Sequence, residues 1–181
     1  LEMVFDYVRI RFPTQDVKHV VEDILKLRLD VMIHEDYGFY SYAEHYVLGD
    51  VFVLASPDKE KGTLLELKGK GCRQMESYLL AQHRSWYDFL MDALIEGGVM
   101  KRLDLAINDM TGILDIPELT EKCNHEECIS VFRSFKSYRS GELVRSQEQD
   151  KYGMGNTLYI GSLKSEVYFC IYEKDYEQYA K

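Results

Sequence analysis

The chain has 181 residues, of which 46% are hydrophobic, and this supply of apolar side chains is sufficient for one domain or for two closely packed lobes. No apolar run reaches the roughly 18 residues that a membrane span needs, and no basic-then-apolar signal opens the chain, so we expect a cytoplasmic protein without a membrane partner. The formal net charge of −9 disfavours general affinity for nucleic acid, which depends on the neutralisation of phosphates.

The first half of the chain predicts a strand, a helix, three strands and two further helices. Residues 4–12 alternate with period two and predict a strand, and Thr14 is the expected N-cap of a helix that continues to about residue 27. Strands are expected at 38–47, 50–56 and 63–68. Helices follow at about 71–82 and 85–96, and two glycines at 97 and 98 end the second one.

The second half repeats this order. A strand at 99–108 leads to a helix at 117–132, strands near 133–140, 156–161 and 166–173, and a helix that begins around Lys174. The pattern predicts an α+β fold in which two pseudo-repeated strand–helix–three-strand–helix lobes, residues 3–97 and 98–181, form largely antiparallel sheets with helices packed on one face.

A common spacing supports an internal duplication. The segment VFVLAS (51–56) aligns with TLYIGS (157–162), and ten residues separate Ser56 from Glu66 as well as Ser162 from Tyr172. A duplication would place Glu66 and Tyr172 at matching positions of two strands, whereas two unrelated hairpins with small-residue turns would give the same spacing.

Several kinds of chemistry lack their motifs. The histidines form no H-x-H or H-E-x-x-H pair for zinc, and neither a nucleotide-binding P-loop nor a G-x-S-x-G nucleophile elbow is present. The four cysteines lack C-x-x-C spacing, and their sequence neighbours are apolar. We therefore expect buried free thiols at Cys72, Cys123, Cys128 and Cys170.

Tyr172 ends an apolar strand and is followed by charged residues. A phenol is a poor nucleophile at neutral pH because its pKa is about 10, but a nearby lysine or a metal ion held by carboxylates favours the phenolate. The chain has 14 tyrosines, so an ordinary half-buried strand tyrosine is the alternative interpretation.

Basic residues are clustered despite the acidic balance. These clusters predict either an asymmetric distribution of charge on the surface or a separate DNA-binding domain outside this sequence. Solvated charge on an ordinary acidic domain is the alternative. The clusters are Arg9 and Arg11 on the first strand, then Lys59, Lys61, Lys68, Lys70 and Arg73, and later Lys136, Arg139 and Arg145.

Three stretches, residues 64–76, 101–109 and 157–177, resemble the Rep_trans family in their order and spacing. This family contains the replication initiation factors of rolling-circle plasmids and the relaxases of Gram-positive integrative conjugative elements and conjugative transposons. The segment GKGCRQ (69–74) is similar to the conjugative-element branch. The resemblance implies that residues 1–181 are a single catalytic-domain fragment, with an N-terminal DNA-binding region and a C-terminal continuation outside it.

The resemblance implies an enzyme that nicks and joins one DNA strand at an origin of transfer or replication through a 5′-phosphotyrosine intermediate. It also implies a divalent metal that stabilises charge on the scissile phosphate. Because the chain lacks a paired-histidine motif, carboxylates would have to hold this metal, and oxygen ligands suit Mg²⁺ or Mn²⁺.

On this interpretation Tyr172 is the nucleophile, and Lys174, expected on the same strand face, is a phosphate clamp or phenolate stabiliser. Asp104 and Glu66 are the expected metal ligands, with a salt bridge from Asp104 to Arg102 or Arg73 as the alternative. Tyr159 is the rival nucleophile, Tyr176 is a more distant one, and Asp109 is expected to be a turn or cap residue. The expected DNA-binding residues are Lys70, Arg73 and Arg102.

Two other classes of function stay open. A non-catalytic DNA-binding or dimerisation module of a mobile-element protein would keep the basic clusters and need no metal. A structural protein would place Asp104 and Glu66 in salt bridges. The expected partners of the enzyme are origin DNA, a helicase, a coupling protein and a second copy of the chain.

Overall fold

The computed structural model describes residues 1–141 and 153–174 and shows an α+β fold, as predicted. The chain divides into two compact units, Leu1–Asn108 and Asp109–Lys181. Every strand pair among these residues is antiparallel. In the part of the chain that the structure describes, no helix is long and apolar enough to cross a membrane.

The first unit is built on a six-stranded sheet with the strand order β2-β3-β4-β5-β1-β6. The first strand, β1, lies between β5 and β6, so β6 is an edge strand and joins a sheet whose other members all precede it in the chain. The units therefore divide after Asn108, eleven residues beyond the predicted lobe boundary after residue 97 (108 − 97 = 11). The strands are β1 (Glu2–Phe12), β2 (Ile33–Glu35), β3 (Glu44–Leu48), β4 (Val51–Ala55), β5 (Thr63–Lys68) and β6 (Val99–Asn108).

One face of this sheet forms the hydrophobic core. Alternate residues of β1 point to this face, where Val8 and Ile10 are fully buried together with Met75 of helix α1 (Gly69–Ala81). Helix α2 (Trp86–Ile95) begins at Ser85, whose side chain forms a reciprocal capping box with Asp88. Both helices and strand β5 lie within about two residues of the predicted bounds.

Two predictions for the first unit need correction. The helix expected from Thr14 to residue 27 is present but shorter: helical backbone begins at Val17, just after Asp16 accepts a hydrogen bond from the amide of His19, and ends with a π-helical turn, His19–Ile24, before Lys26, whose φ angle is 53°. The strand expected at 38–47 is largely a loop, because Tyr40 and Ser41 have φ angles of 55° and 64°, which a strand cannot contain.

In its described residues, the second unit contains a three-stranded sheet with the order β7-β8-β9 and one helix, α3 (Ile116–Asn124). The strands are β7 (Phe135–Gly141), β8 (Gly153–Ile160) and β9 (Phe169–Tyr172). The helix packs against β8, on which Leu158 is fully buried. It ends eight residues before the predicted bound of 132 (132 − 124 = 8), because Glu126 has a φ angle of 61°, which ends an α-helix.

The strand register does not match Glu66 with Tyr172. Glu66 lies opposite Phe52, whereas Tyr172 lies opposite Thr157. When the segments at 51–56 and 157–162 are aligned, Thr157 corresponds to Val51, whose partner is Leu67. The predicted equivalence is therefore wrong by one residue, which is enough to place the two side chains on opposite faces of their sheets.

The cysteines differ in exposure. Cys72 and Cys123 are buried, as predicted, whereas Cys128 and Cys170 are exposed, and all four are free thiols. Cys128 follows the end of α3, and the Sγ atoms of Cys123 and Cys128 are 3.3 Å apart. Apolar neighbours in the sequence therefore did not predict burial at the two exposed positions.

Candidate functional site

The face of the first sheet opposite the core carries charged and aromatic side chains, which we call the polar face. Because side chains alternate along a strand, burial of Val8 and Ile10 in the core directs Tyr7 and Arg9 to this other face. Arg9 lies opposite Glu66 on one side and Arg102 on the other, and Tyr7 lies opposite Lys68 and Asp104. The polar face comprises Tyr7, Arg9, Arg11, Glu66, Lys68, Arg102 and Asp104.

Glu66 is the centre of this face and is only 3% exposed. Its Oε1 atom accepts hydrogen bonds from the hydroxyl of Tyr7, from Arg9 Nη2 at 2.5 Å and from the hydroxyl of Tyr40 at 2.9 Å. The Lys68 ammonium lies 3.9 Å from Oε2. Burial by itself raises the pKa of Glu66, but the hydrogen bonds from Tyr7, Arg9 and Tyr40 outweigh it and hold the pKa below its usual value.

Two of the partners of Glu66, Tyr7 and Arg9, have raised pKa values and keep their protons. Burial and the hydrogen bond to Glu66 raise the pKa of Tyr7 well above its ordinary value, so this phenol is a donor rather than a nucleophile. Burial by itself lowers the pKa of Arg9, but the hydrogen bond to Glu66 and neighbouring charges outweigh it and raise that pKa. The guanidinium of Arg9 also lies 4.2 Å from the centre of the Tyr40 ring, a cation–π distance.

Asp104 forms a bidentate ion pair with Arg102 on its own strand. Arg102 Nε donates to Oδ1 at 2.9 Å and Nη2 donates to Oδ2 at 2.6 Å. The Asp104 side chain is 38% exposed because β6 is an edge strand, so the expected apolar surroundings of Asp104 are not present. The guanidinium of Arg102 stacks 4.1 Å from the centre of the Tyr7 ring.

The predicted metal ligands do not form a ready metal site. Glu66 and Asp104 lie on strands separated by β1, and an arginine is paired with each carboxylate where a divalent cation would bind. Among the described residues, no group of three histidine, cysteine, aspartate or glutamate side chains could hold a metal ion. The arrangement seen does not fit Mg²⁺ or Mn²⁺ without the displacement of an arginine, and the ligand roles of Glu66 and Asp104 stay predictions.

Other predicted residues are at different places. Arg73, near the start of α1, bonds to Glu76 at 2.7 Å and to the carbonyl of Phe5 at 2.5 Å, while Lys70 is exposed on the same helix. Asp109 accepts hydrogen bonds from the amides of Thr111 and Leu114, as expected of a turn residue. These bonds lower the pKa of Asp109 to about 2.

The candidate nucleophiles share one face of the second sheet. Tyr172 on β9 lies opposite Thr157, and Tyr159 on β8 lies opposite Cys170 on one side and Lys136 on the other. Since Thr157 and Tyr159 are two residues apart, Tyr172, Tyr159 and Lys136 point to the same side. Tyr172 is 44% exposed, as access by a substrate requires.

Tyr159 belongs to an aromatic group on this face. Its ring stacks on Tyr168 at 6.1 Å and meets the edge of Tyr138 at 5.8 Å. Electrostatic interaction with Cys170 and a hydrogen bond to it raise the pKa of Tyr159, which disfavours its phenolate.

Lys174 does not have the predicted strand geometry. Strand β9 ends at Tyr172, and the carboxylate of Glu173 accepts hydrogen bonds from the amide and side chain of Asn156 at 2.6 and 2.7 Å. Lys174 therefore lies beyond the strand, and the prediction of a shared strand face with Tyr172 is wrong. Tyr176 and Arg145 lie outside the described residues. Tyr172 belongs to the second unit and Glu66 to the first, so their convergence on one cleft stays a prediction.

Sequence reasoning missed two side chains that bond to Glu66: Tyr7 of the polar face and Tyr40 of the loop between β2 and β3. Tyr7 had a detectable signal, because it lies two residues before Arg9 on a strand of period two and must share its face. Tyr40 had none, because it reaches Glu66 from a loop that was interpreted as a strand.

Comparison with known proteins gives two family matches along the chain. Residues 2–92 match the family described as the rolling circle replication initiation protein N-terminal domain, and residues 98–181 match the family described as replication initiation factor. The chain is 44% identical over 182 residues to the putative DNA relaxase NicK of Bacillus subtilis (strain 168). This alignment covers 100% of the chain and 50% of the relative, so the chain spans about half the length of the curated relative it matches.

A solved structure shows the same fold. The rolling circle replication initiator protein from Geobacillus stearothermophilus superposes with a TM-score of 0.76 at 24% sequence identity. The match covers 98% of this chain and 68% of that one. At this identity the likeness establishes the fold alone.

Proposed function

This chain belongs to the family of rolling-circle replication initiation proteins, and from this membership we propose that it nicks and rejoins one DNA strand at an origin of replication or of conjugative transfer. The observation that carries the proposal is the 44% identity to a putative DNA relaxase along the whole length of this chain. Because the chain covers 50% of that relative, the activity of the whole relative comes to this chain as a proposal.

The proposed nucleophile is the hydroxyl of Tyr172. Its oxygen loses its proton and forms a bond to the scissile phosphorus, the bond from phosphorus to the 3′ oxygen breaks, and that oxygen gains a proton and leaves as a free 3′-hydroxyl. The product is a 5′-phosphotyrosine, and the reverse reaction rejoins the strand. The exposure of Tyr172 supports this role, and Lys174, two residues further along the chain, is the proposed phosphate or phenolate partner.

The polar face of the first unit is the proposed DNA-binding surface. It carries four cations (Arg9, Arg11, Lys68 and Arg102) and two carboxylates (Glu66 and Asp104), a local excess of two positive charges on a chain with a net charge of −9. Such a local excess supports contacts to phosphates, which dominate affinity for DNA. Lys70 and Arg73 would add phosphate contacts from the start of α1.

The metal and the protein partners stay predictions. A requirement for Mg²⁺ or Mn²⁺ is proposed from the family resemblance, and no step above depends on it because both candidate carboxylates are paired with arginines. A helicase, a coupling protein, a second copy of the chain and a cytoplasmic location are proposed on the same basis.

The test is the formation of a covalent adduct. The protein is incubated with Mn²⁺ and a labelled single-stranded origin oligonucleotide, and a band that survives SDS and disappears with protease is sought on a denaturing gel. Tyr172→Phe keeps the ring and removes the nucleophilic oxygen, so we expect no adduct, whereas Tyr159→Phe should retain most of it. An adduct that persists in Tyr172→Phe and is lost in Tyr159→Phe would reassign the nucleophile within the same enzyme class.

A non-catalytic DNA-binding module is the second candidate function. The arginine partners of Glu66 and Asp104 favour it, because paired carboxylates are typical of a structural ion-pair network. Binding of the oligonucleotide without an adduct, by the wild-type full-length protein in Mn²⁺, would support this candidate and contradict the nicking enzyme.

A further inference from the structure

A pocket of about 340 Å³ opens on the polar face beside Glu66. Strands β4 and β5 supply its floor through Phe52, Glu66 and Lys68, and the loop between β2 and β3 supplies its wall through Phe39 and Tyr40. Its volume lies at the lower end of the range of about 300–1,000 Å³ that small-molecule sites occupy.

The loop that forms the wall is fixed in place while its aromatic rings stay exposed. Phe39 and Tyr40 are 43% and 51% exposed. The Tyr40 hydroxyl donates to Glu66, Lys61 donates to the carbonyl of Ser41 at 2.6 Å, and Tyr40 and Ser41 both adopt left-handed backbone conformations. Exposure of an aromatic ring and a left-handed backbone both cost stability, so their presence together in this loop indicates a binding role.

The polar groups of the pocket complement the parts of a nucleotide. The three side-chain donors to Glu66 found among the described residues all bond to Oε1, whereas Oε2 lies 3.9 Å from the ammonium of Lys68, which also lines the pocket. A carboxylate is an acceptor only and suits an exocyclic amino group. The ammonium of Lys68, which is an exposed residue, suits a phosphate.

We propose that this pocket binds one unpaired nucleobase of a DNA strand. The base stacks on Tyr40 and Phe39, its exocyclic amino group donates a hydrogen bond to the Glu66 carboxylate, and the adjoining phosphate binds the ammonium of Lys68. The inference rests on the proposed function and adds a base-binding subsite to it. Aromatic rings beside a cation are how proteins hold single-stranded DNA, since every base has a face that can stack. The carboxylate adds a preference for cytosine or adenine over thymine, which presents a carbonyl oxygen where these bases present an amino group.

The test measures binding of single-stranded oligonucleotides about ten nucleotides long to the wild type and to three matched variants, by fluorescence anisotropy without added metal. Tyr40→Leu removes the stacking ring, Tyr40→Phe keeps the ring and removes the bond to Glu66, and Tyr37→Leu removes an equally exposed ring of the same loop that does not line the pocket. We expect Tyr40→Leu to weaken binding of oligo(dC) about tenfold, and Tyr40→Phe and Tyr37→Leu to bind nearly as the wild type. The wild type should prefer oligo(dC) to oligo(dT), and Tyr40→Leu should lose this preference.

Three results would overturn the proposal: unchanged binding by Tyr40→Leu, an equal loss in Tyr37→Leu, or an equal loss in Tyr40→Phe, which would assign Tyr40 to support of Glu66 alone. Circular dichroism checks that each variant is folded.

The adduct assay separates this inference from the proposed function. Wild-type protein that forms no adduct but shows the Tyr40→Leu binding defect refutes nicking and supports the pocket. Wild-type protein that forms an adduct while Tyr40→Leu binds normally supports nicking and refutes the pocket.

Discussion

Replacement of Glu66 by glutamine tests the energetic role of the polar face. The variant keeps the shape and hydrogen-bonding oxygen of the side chain but leaves Arg9, whose side chain is 24% exposed, without its anionic partner. Removal of one member of a buried ion pair costs about 3–5 kcal/mol, and the partial exposure of Arg9 reduces this, so we expect Glu66→Gln to lower the free energy of unfolding by about 2 kcal/mol at neutral pH.

The pH dependence gives the sharper criterion. Since the folded state lowers the pKa of Glu66, its carboxylate contributes stability above the pKa of an unfolded glutamate, and this contribution is lost as the pH falls through the lower folded pKa. The difference in stability between the wild type and Glu66→Gln should therefore be largest at neutral pH and shrink below about pH 4.

The assay is urea unfolding followed by the fluorescence of Trp86, the one tryptophan of the chain, whose ring packs 4.5 Å from Phe5 in the first unit. Asp104→Asn is the matched control, because the Asp104 and Arg102 side chains are 38% and 51% exposed and such a pair contributes less than about 1 kcal/mol. A loss in Glu66→Gln that equals the control, or that stays constant with pH, would refute the reasoning.

Three further predictions concern other parts of the chain. Asp104→Ala should abolish nicking in Mn²⁺ with little change in unfolding if Asp104 is a metal ligand, and full activity in a metal-dependent assay would remove it from that role. Alkylation of the folded protein should modify exposed Cys128 early and Cys72 last, because burial raises the pKa of Cys72 to about 11 and excludes the reagent. Peptide mass spectrometry that finds Cys72 labelled first would contradict this order. Gly71→Ala should destabilise the first unit in the Trp86 assay, because the added Cβ would lie 2.3 Å from the carbonyl oxygen of Asp50. This clash should outweigh the helix preference of alanine over glycine, which is about 1 kcal/mol. A more stable variant would contradict this close contact between Gly71 and Asp50.

Local pattern alone determined much of the secondary structure. Strand β6 was predicted at 99–108 and is found at Val99–Asn108, and the two helices after β5 begin and end within about two residues of their predicted positions. These elements have a clear period and glycine boundaries, which depend only on neighbouring residues. The loop at Tyr40 was mispredicted because its backbone conformation depends on a long-range contact, the bond from Tyr40 to Glu66. The helix around His19 ends earlier than its pattern predicts, because Lys26 has a left-handed backbone with a φ angle of 53°.

The sequence also determined the family, since the stretches that carried the resemblance lie within the two matched segments. What only the tertiary structure decided is the set of partners that each functional side chain has. Tyr7 and Glu66 are 59 residues apart and meet because β1 pairs with β5 in one register, and Asp104 is half exposed because β6 is the edge strand. Strand order and register arise from the burial of one whole sheet face, a long-range effect that no local window of residues contains.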